Sequence, residues 1–156
     1  MVKRNACVFI SGEGSNLRNL LKRSRDYNFP VSIKLVISNN PKAKGVNFTK
    51  KYSIPYFIVN TKVRNFENII LAYLKRYRIN IICLAGYMRI ISKKFLRSFG
   101  KSVINIHPSL LPKFKGLNTF KRIIEKKETK SGCTVHYVND KLDGGKVITQ
   151  KSFYLV

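Results

Sequence analysis

Hydrophobic positions change their period along the chain, and the changes mark out the elements. Residues 5–10 form a short apolar run, closed by Ser11-Gly12-Glu13-Gly14-Ser15-Asn16 and followed by Leu17, Leu20 and Leu21 at helical spacing. This predicts strand, loop and helix in that order. Residues 31–38 predict a second strand ending in Asn39-Asn40-Pro41, 44–51 a short helix, and 56–59 a third strand. From Phe66, the residues Ile69, Ile70, Tyr73, Leu74 and Tyr77 recur at helical spacing, predicting a helix over 64–78 whose aromatic positions belong to the core. Residues 79–85 are apolar but for Asn80, the pattern of a strand buried on both faces in a parallel sheet. Ser92 is expected to cap a helix over 93–99, and 102–107 to form the next strand. A basic helix over 119–127 and strands over 132–138 and 146–155 complete the reading. The alternation predicts an α/β fold: a doubly wound, mostly parallel sheet with helices on both faces, in a single domain spanning 1–156.

The stretch SVINIHPSLLPKFKG, 102–116, carries the clearest chemistry. Alternation along an extended strand puts Val103, Asn105 and His107 on one side, so an amide and an imidazole share a surface. Pro108 and Pro112 stop regular pairing beyond them. Asn can donate to a developing oxyanion and His can move a proton near neutral pH, a pairing suited to acyl-type transfer. A structural histidine beside a turn-capping Asn fits the same residues.

Three loops add to this picture. In 12–16, glycines before a helix start expose backbone N–H groups to an anion, with Ser15 and Asn16 expected to add donors and an N-cap. Gly86-Tyr87-Met88-Arg89-Ile90-Ile91 follows a buried strand and could line a slot for a flat heterocycle. Asn139-Asp140-Lys141-Leu142-Asp143-Gly144-Gly145 is a tight acidic loop, from which Asp143 could reach His107, stabilise its imidazolium and orient a water. Asp143 equally suits a plain Asp-Gly turn.

Composition changes the picture in one respect, charge. Lys and Arg total 31 against 7 Asp and Glu in 156 residues, a formal net charge of +24. Such a field attracts any polyanion. The cations are dispersed, however, and no aromatic-basic RNA-binding motif accompanies them, so drift in composition is the expected source. No apolar run approaches the roughly 18 residues of a membrane span, and a cytoplasmic location is expected. Cys7, Cys83 and Cys133 lie far apart in apolar runs and read as buried thiols, not metal ligands.

Taken together, SGEGSNL, LAGYMRIIS, INIHPSLLP and LDGG, in this order and spacing, resemble the phosphoribosylglycinamide formyltransferase (glycinamide ribonucleotide transformylase) family. The resemblance implies formyl transfer from 10-formyltetrahydrofolate to a phosphoribosylglycinamide amine in purine synthesis, without a metal. It implies that Asn105 holds the oxyanion, that His107 stabilises it and donates a proton, and that Asp143 supports His107 and a water. Gly14, Ser15 and Asn16 match the loop taking the ribose phosphate. Arg64, Met88, Arg89, Ile90 and Ile91 match folate-contacting positions, with Asn105 and with Asn139, Asp140 and Asp143 of the loop closing on the pterin. Thr134 matches a small hydroxyl residue near the site, and His136 a supporting histidine. The partners implied are small molecules, with no specific nucleic acid and no membrane, for a monomer or homodimer.

Two departures stand out. The family commonly reads GLHTH where this chain has Gly116-Leu117-Asn118-Thr119-Phe120, so both histidines are replaced. Relatives also continue past Phe153 with a further strand, substrate contacts and a long helix, so an apolar sheet face is expected to be exposed or buried by self-association. The alternatives are a formyltetrahydrofolate deformylase-like hydrolase, a methionyl-tRNA formyltransferase relative, or an inactive relic with non-specific RNA binding.

Overall fold

The computed structural model describes residues 2–155. Positions 1 and 156 of the expected domain lie outside them. The chain divides into two compact units, one up to Ser102 and one from Val103 onward.

The first unit alternates strand and helix: β1 (Arg4–Ile10), α1 (Ser15–Ser24), β2 (Val31–Ser38), α2 (Val46–Lys51), β3 (Tyr56–Ile58), α3 (Phe66–Arg76), β4 (Ile81–Leu84) and α4 (Lys93–Phe99). β1 lies between β2 and β4, β3 flanks β2, and all these pairings are parallel. Parallel neighbours need a crossover, and the helices supply it. Cys7, Val8, Phe9 and Ile10 are fully buried because β1 is covered on both faces. On one face Ala6, Val8 and Ile10 pack with Leu17 and Leu21 of α1. On the other the Phe9 ring meets Tyr87 edge-on at 5.2 Å and Phe95 of α4 at 6.4 Å. Each fully buried Val, Leu, Ile or Phe among these contributes about 1.5–3 kcal/mol of hydrophobic stabilisation.

Boundaries differ from the sequence pattern for physical reasons. β4 is shorter than 79–85 and alternates half-buried with buried residues. Ile79 is buried, but its N–H donates to Leu74 O (2.9 Å), so it closes α3 and does not extend the strand. α3 begins at Phe66, which leaves Arg64 in the preceding turn. Ser92 caps α4 as expected, its hydroxyl accepting the Phe95 N–H at 3.0 Å. α1 has a different cap from the one expected. Gly14, left-handed at φ 77°, is its N-cap, and neither Ser15 nor Asn16 supplies a side-chain cap.

The second unit holds β5 (Ser102–His107) apart from its first residue, α5 (Thr119–Glu125), β6 (Lys130–Tyr137) and β7 (Val147–Tyr154). β6 runs antiparallel to both β5 and β7. β7 is exposed along its whole length, including Ile148, Phe153 and Tyr154. No helix among the described residues is long and apolar enough to cross a membrane.

Candidate active site

In the second unit, register brings the chemical residues together. Asn105 of β5 pairs with His136 of β6, and His107 pairs with Thr134. Because the period of a strand is two, Asn105, His107, Thr134 and His136 share one surface. His107, Thr134 and His136 are buried and Asn105 is half-buried. Buried polar groups need partners, and each of these has them.

Thr134 holds the turn that follows β5. Its hydroxyl donates to Ser109 O (2.7 Å) and accepts the Leu111 N–H (3.0 Å) and a Gln150 Nε2–H from β7 (2.9 Å). Ser109 in turn donates to Lys113 O at 2.6 Å. The stiffness read from Pro108 and Pro112 is therefore reinforced by two buried hydroxyls, and the Leu111–Pro112 peptide is cis.

The turn delivers the Phe114 carbonyl to His107. Its oxygen lies 2.8 Å from His107 Nε2, and since a carbonyl only accepts, Nε2 carries a hydrogen. The other ring nitrogen, Nδ1, faces Asp143 Oδ2 at 3.4 Å. A neutral imidazole has one N–H for these two acceptors, whereas the imidazolium serves both. Asp143 sits at φ 45°, with its side chain about 10% exposed, and its Oδ2 also accepts the Gly116 N–H at 2.8 Å. The acidic loop thus does bring Asp143 to His107.

His136 acts on Asn105. Its Nδ1 lies 2.9 Å from Tyr137 O and so donates, which leaves Nε2 to accept from Asn105 Nδ2 at 3.2 Å. That contact turns the amide's NH2 group toward the imidazole and leaves its second N–H for another acceptor. Asp143 Oδ1 lies 3.6 Å from His136 Nε2, beyond hydrogen-bond length.

In the first unit, the loop 12–16 is pressed against the turn before α2. A Cβ on Gly14 would come within 2.5 Å of Gly45 Cα, and the Gly45 N–H donates to Gly12 O at 3.0 Å. Only glycine suits this position, both for its φ and for the close approach. Glu13 turns outward to Lys44 (3.1 Å), so its carboxylate is drawn from the helix start. Ser15 is exposed and Asn16 half-buried at the mouth of α1.

The loop after β4 distributes its side chains unevenly. Met88 and Ile90 project into solvent, and Arg89 lies over the Phe66 ring at 4.8 Å. Ile91 is buried, unlike its neighbours Met88 and Ile90. Tyr87 is half-buried, and burial pushes its phenol up to about 12. Arg64 lines a cleft of about 190 Å³ with Glu67, Lys94 and Ser98, on α3 and α4. Asn139 is exposed, with its Oδ1 accepting the Lys141 N–H at 2.9 Å, and Asp140 is exposed beside it.

Sequence reasoning missed Phe114, Gly116, Ser109 and Gln150, and the bracing role of Gly45. Phe114, Gly116 and Gly45 act through the main chain, which carries no residue signature. Ser109, inside the proline turn, was the one hydroxyl that its setting could have flagged.

An α/β protein that buries a carboxylate-supported histidine beside an oriented amide, at the end of a strand, has the equipment of a group-transfer enzyme. Residues 4–155 match the formyl transferase family, to which the chain belongs. It is 40% identical over 153 residues to the phosphoribosylglycinamide formyltransferase of Haemophilus influenzae, covering 94% of this chain and 71% of that protein. It is 39% identical over 154 residues to the human trifunctional purine biosynthetic protein adenosine-3, covering 96% of this chain but only 15% of that much longer protein. The crystal structure of phosphoribosylglycinamide formyltransferase from Anaplasma phagocytophilum superposes with a TM-score of 0.91 at 40% identity, covering 99% of this chain and 74% of the other.

Proposed function

We propose that the chain transfers the formyl group of 10-formyltetrahydrofolate to the amine of N1-(5-phospho-D-ribosyl)glycinamide, in the cytoplasm, as a step of de novo purine (IMP) synthesis. The observation that carries this reading is the arrangement Asn105–His136 and His107–Asp143 in a chain of the formyl transferase family.

In this reaction the amine nitrogen attacks the formyl carbon, and the carbonyl π electrons move to oxygen. The tetrahedral adduct collapses by breaking the bond from carbon to the folate N10. One proton leaves the amine and one is delivered to N10. Asn105, its amide turned by His136, donates its second N–H to the oxyanion. His107 supplies positive charge beside that oxygen, balanced by Asp143, and exchanges the proton. For Nε2 to act as donor, its bond to Phe114 O must be given up. Asp143 also holds the water that relays the amine's proton. Gly14, Ser15 and Asn16 take the phosphate through main-chain N–H groups at the start of α1. Arg64, Met88, Arg89, Ile90 and the Ile91 backbone contact the folate, as do Asn139 and Asp140.

The test is optical: formyl release from 10-formyl-folate is followed with and without phosphoribosylglycinamide. Release that requires the amine is the expected result. Release without it makes the protein a hydrolase, and a folded chain that releases nothing overturns the reading.

A further inference from the structure

Ser11, the residue that follows β1, uses every polar group it has. Its N–H donates to Gly86 O (3.1 Å) and its carbonyl accepts from Asn40 Nδ2 (2.9 Å). Its hydroxyl donates to Asn39 Oδ1 (2.6 Å) and accepts the Met88 N–H (2.8 Å). The direction is fixed, because a carbonyl oxygen cannot donate and a backbone N–H cannot accept. At 8% exposure, water is a poor substitute for any of these partners.

The partners come from the ends of three parallel strands. Ser11 itself opens the loop 12–16, Asn39 and Asn40 follow β2, and Gly86 and Met88 belong to the loop that follows β4. Asn40 extends the frame further: its Oδ1 accepts the Lys42 N–H (2.9 Å), in the turn that carries Gly45 onto Gly12 O. The loop 12–16 is therefore braced by Ser11 at its start and by Gly45 along its length. The loop 86–91 hangs on the same serine through Gly86 and Met88.

We propose that Ser11 is a positioning residue that sets the phosphate loop and the folate loop in one frame. The inference rests on the functional reading above, which assigns those loops to the two substrates. Ser11 acts through the backbone and side chains of the loops it joins. Without its hydroxyl, Met88 N–H and Asn39 Oδ1 each lose a partner, and the loops lose their shared reference. Both substrates should then bind less well, while the chemistry at Asn105, His107 and Asp143 keeps its rate.

The test compares Ser11→Ala and Ser11→Thr with a control, Thr49→Ala, whose buried hydroxyl bonds Val46 O (2.6 Å) within α2 and reaches neither loop. Ser11→Ala is expected to raise KM for both substrates roughly tenfold, which is about 1.4 kcal/mol for each, with kcat within about threefold. Hydrogen exchange at the Met88 amide should quicken, and Ser11→Thr should restore both KM values. Thr49→Ala should lower Tm without moving either KM. Should Ser11→Ala fail to fold, Asn39→Ala removes the acceptor that aims the hydroxyl and should raise both KM values about threefold. An unchanged KM for either substrate, or equal shifts in the Thr49→Ala control, overturns the inference while the functional reading stands. A wild-type chain that binds neither substrate overturns that reading and this inference with it.

Discussion

The ends of β1 and β5 solve different problems with different material. Beyond β1 the proposed ligand donors are main-chain N–H groups, and the surroundings hold the backbone in place: Gly14 packs directly on the Gly45 backbone, and the Ser11 hydroxyl accepts the Met88 N–H. Beyond β5 the backbone serves the side chains. Phe114 O and Gly116 N–H hold His107 and Asp143, and Thr134 fixes the turn that carries them. An anion at a helix start needs donors at fixed points and tolerates many side chains around them. Proton transfer needs particular titratable groups within hydrogen-bond reach of the proton they move.

The contrast predicts which substitutions matter and how. The largest effect belongs to the β5 end. His107→Ala should lower kcat by roughly 100-fold or more, the usual scale for a lost acid–base group, with KM little changed. Steady-state kinetics beside a thermal melt checks it, and near-normal turnover would remove the histidine from the mechanism. At the β1 end the effect should be on binding and should depend on backbone shape. Gly14→Ala puts an alanine at φ 77°, a backbone strain of about 1–3 kcal/mol, and sets its Cβ at 2.5 Å from Gly45 Cα, so that the Gly45 backbone must also shift. It should weaken binding of the phosphorylated substrate about tenfold and lower Tm. Ser15→Ala, one residue on, should change binding less than threefold, since the donor there is the main chain. Calorimetric titration of both variants decides the matter, and a larger loss at Ser15 than at Gly14 would end the distinction between the two strand ends.

The same division explains what could be seen in the sequence. β2 over Val31–Ser38 and α4 over Lys93–Phe99 match the apolar pattern residue for residue, because burial on a strand face or helix stripe leaves a period. Asn105, His107 and Asp143 were legible as side chains of suitable chemistry. Their meeting was not fixed by spacing alone, since it depends on a loop 27 residues beyond Gly116 folding back, and Asp143 also suits a simple turn. The capping role given to Ser15 failed for a related reason: a left-handed glycine can close a helix start without any side-chain oxygen. Gly45, Phe114 and Gly116 stayed hidden because their contribution is an N–H, a carbonyl or an absent Cβ. Only Cys7 of the three thiols is fully buried. Cys83 and Cys133 lie half-buried, so the apolar runs around them overstated their shielding.

Cys7 and Cys83 stand on the paired strands β1 and β4, one residue out of register with each other. Burial pushes the Cys83 thiol up to about 11, and burial with Cys83 as its neighbour raises Cys7 well above its ordinary range. A raised thiol stays protonated as pH climbs, so at pH 8 only about one Cys83 in a thousand is thiolate. Peroxide and alkylating reagents act on the thiolate. The folded protein should therefore carry these two sulfurs through oxidative stress unchanged, and mass spectrometry after iodoacetamide at pH 8 should find them labelled only once the chain has been unfolded.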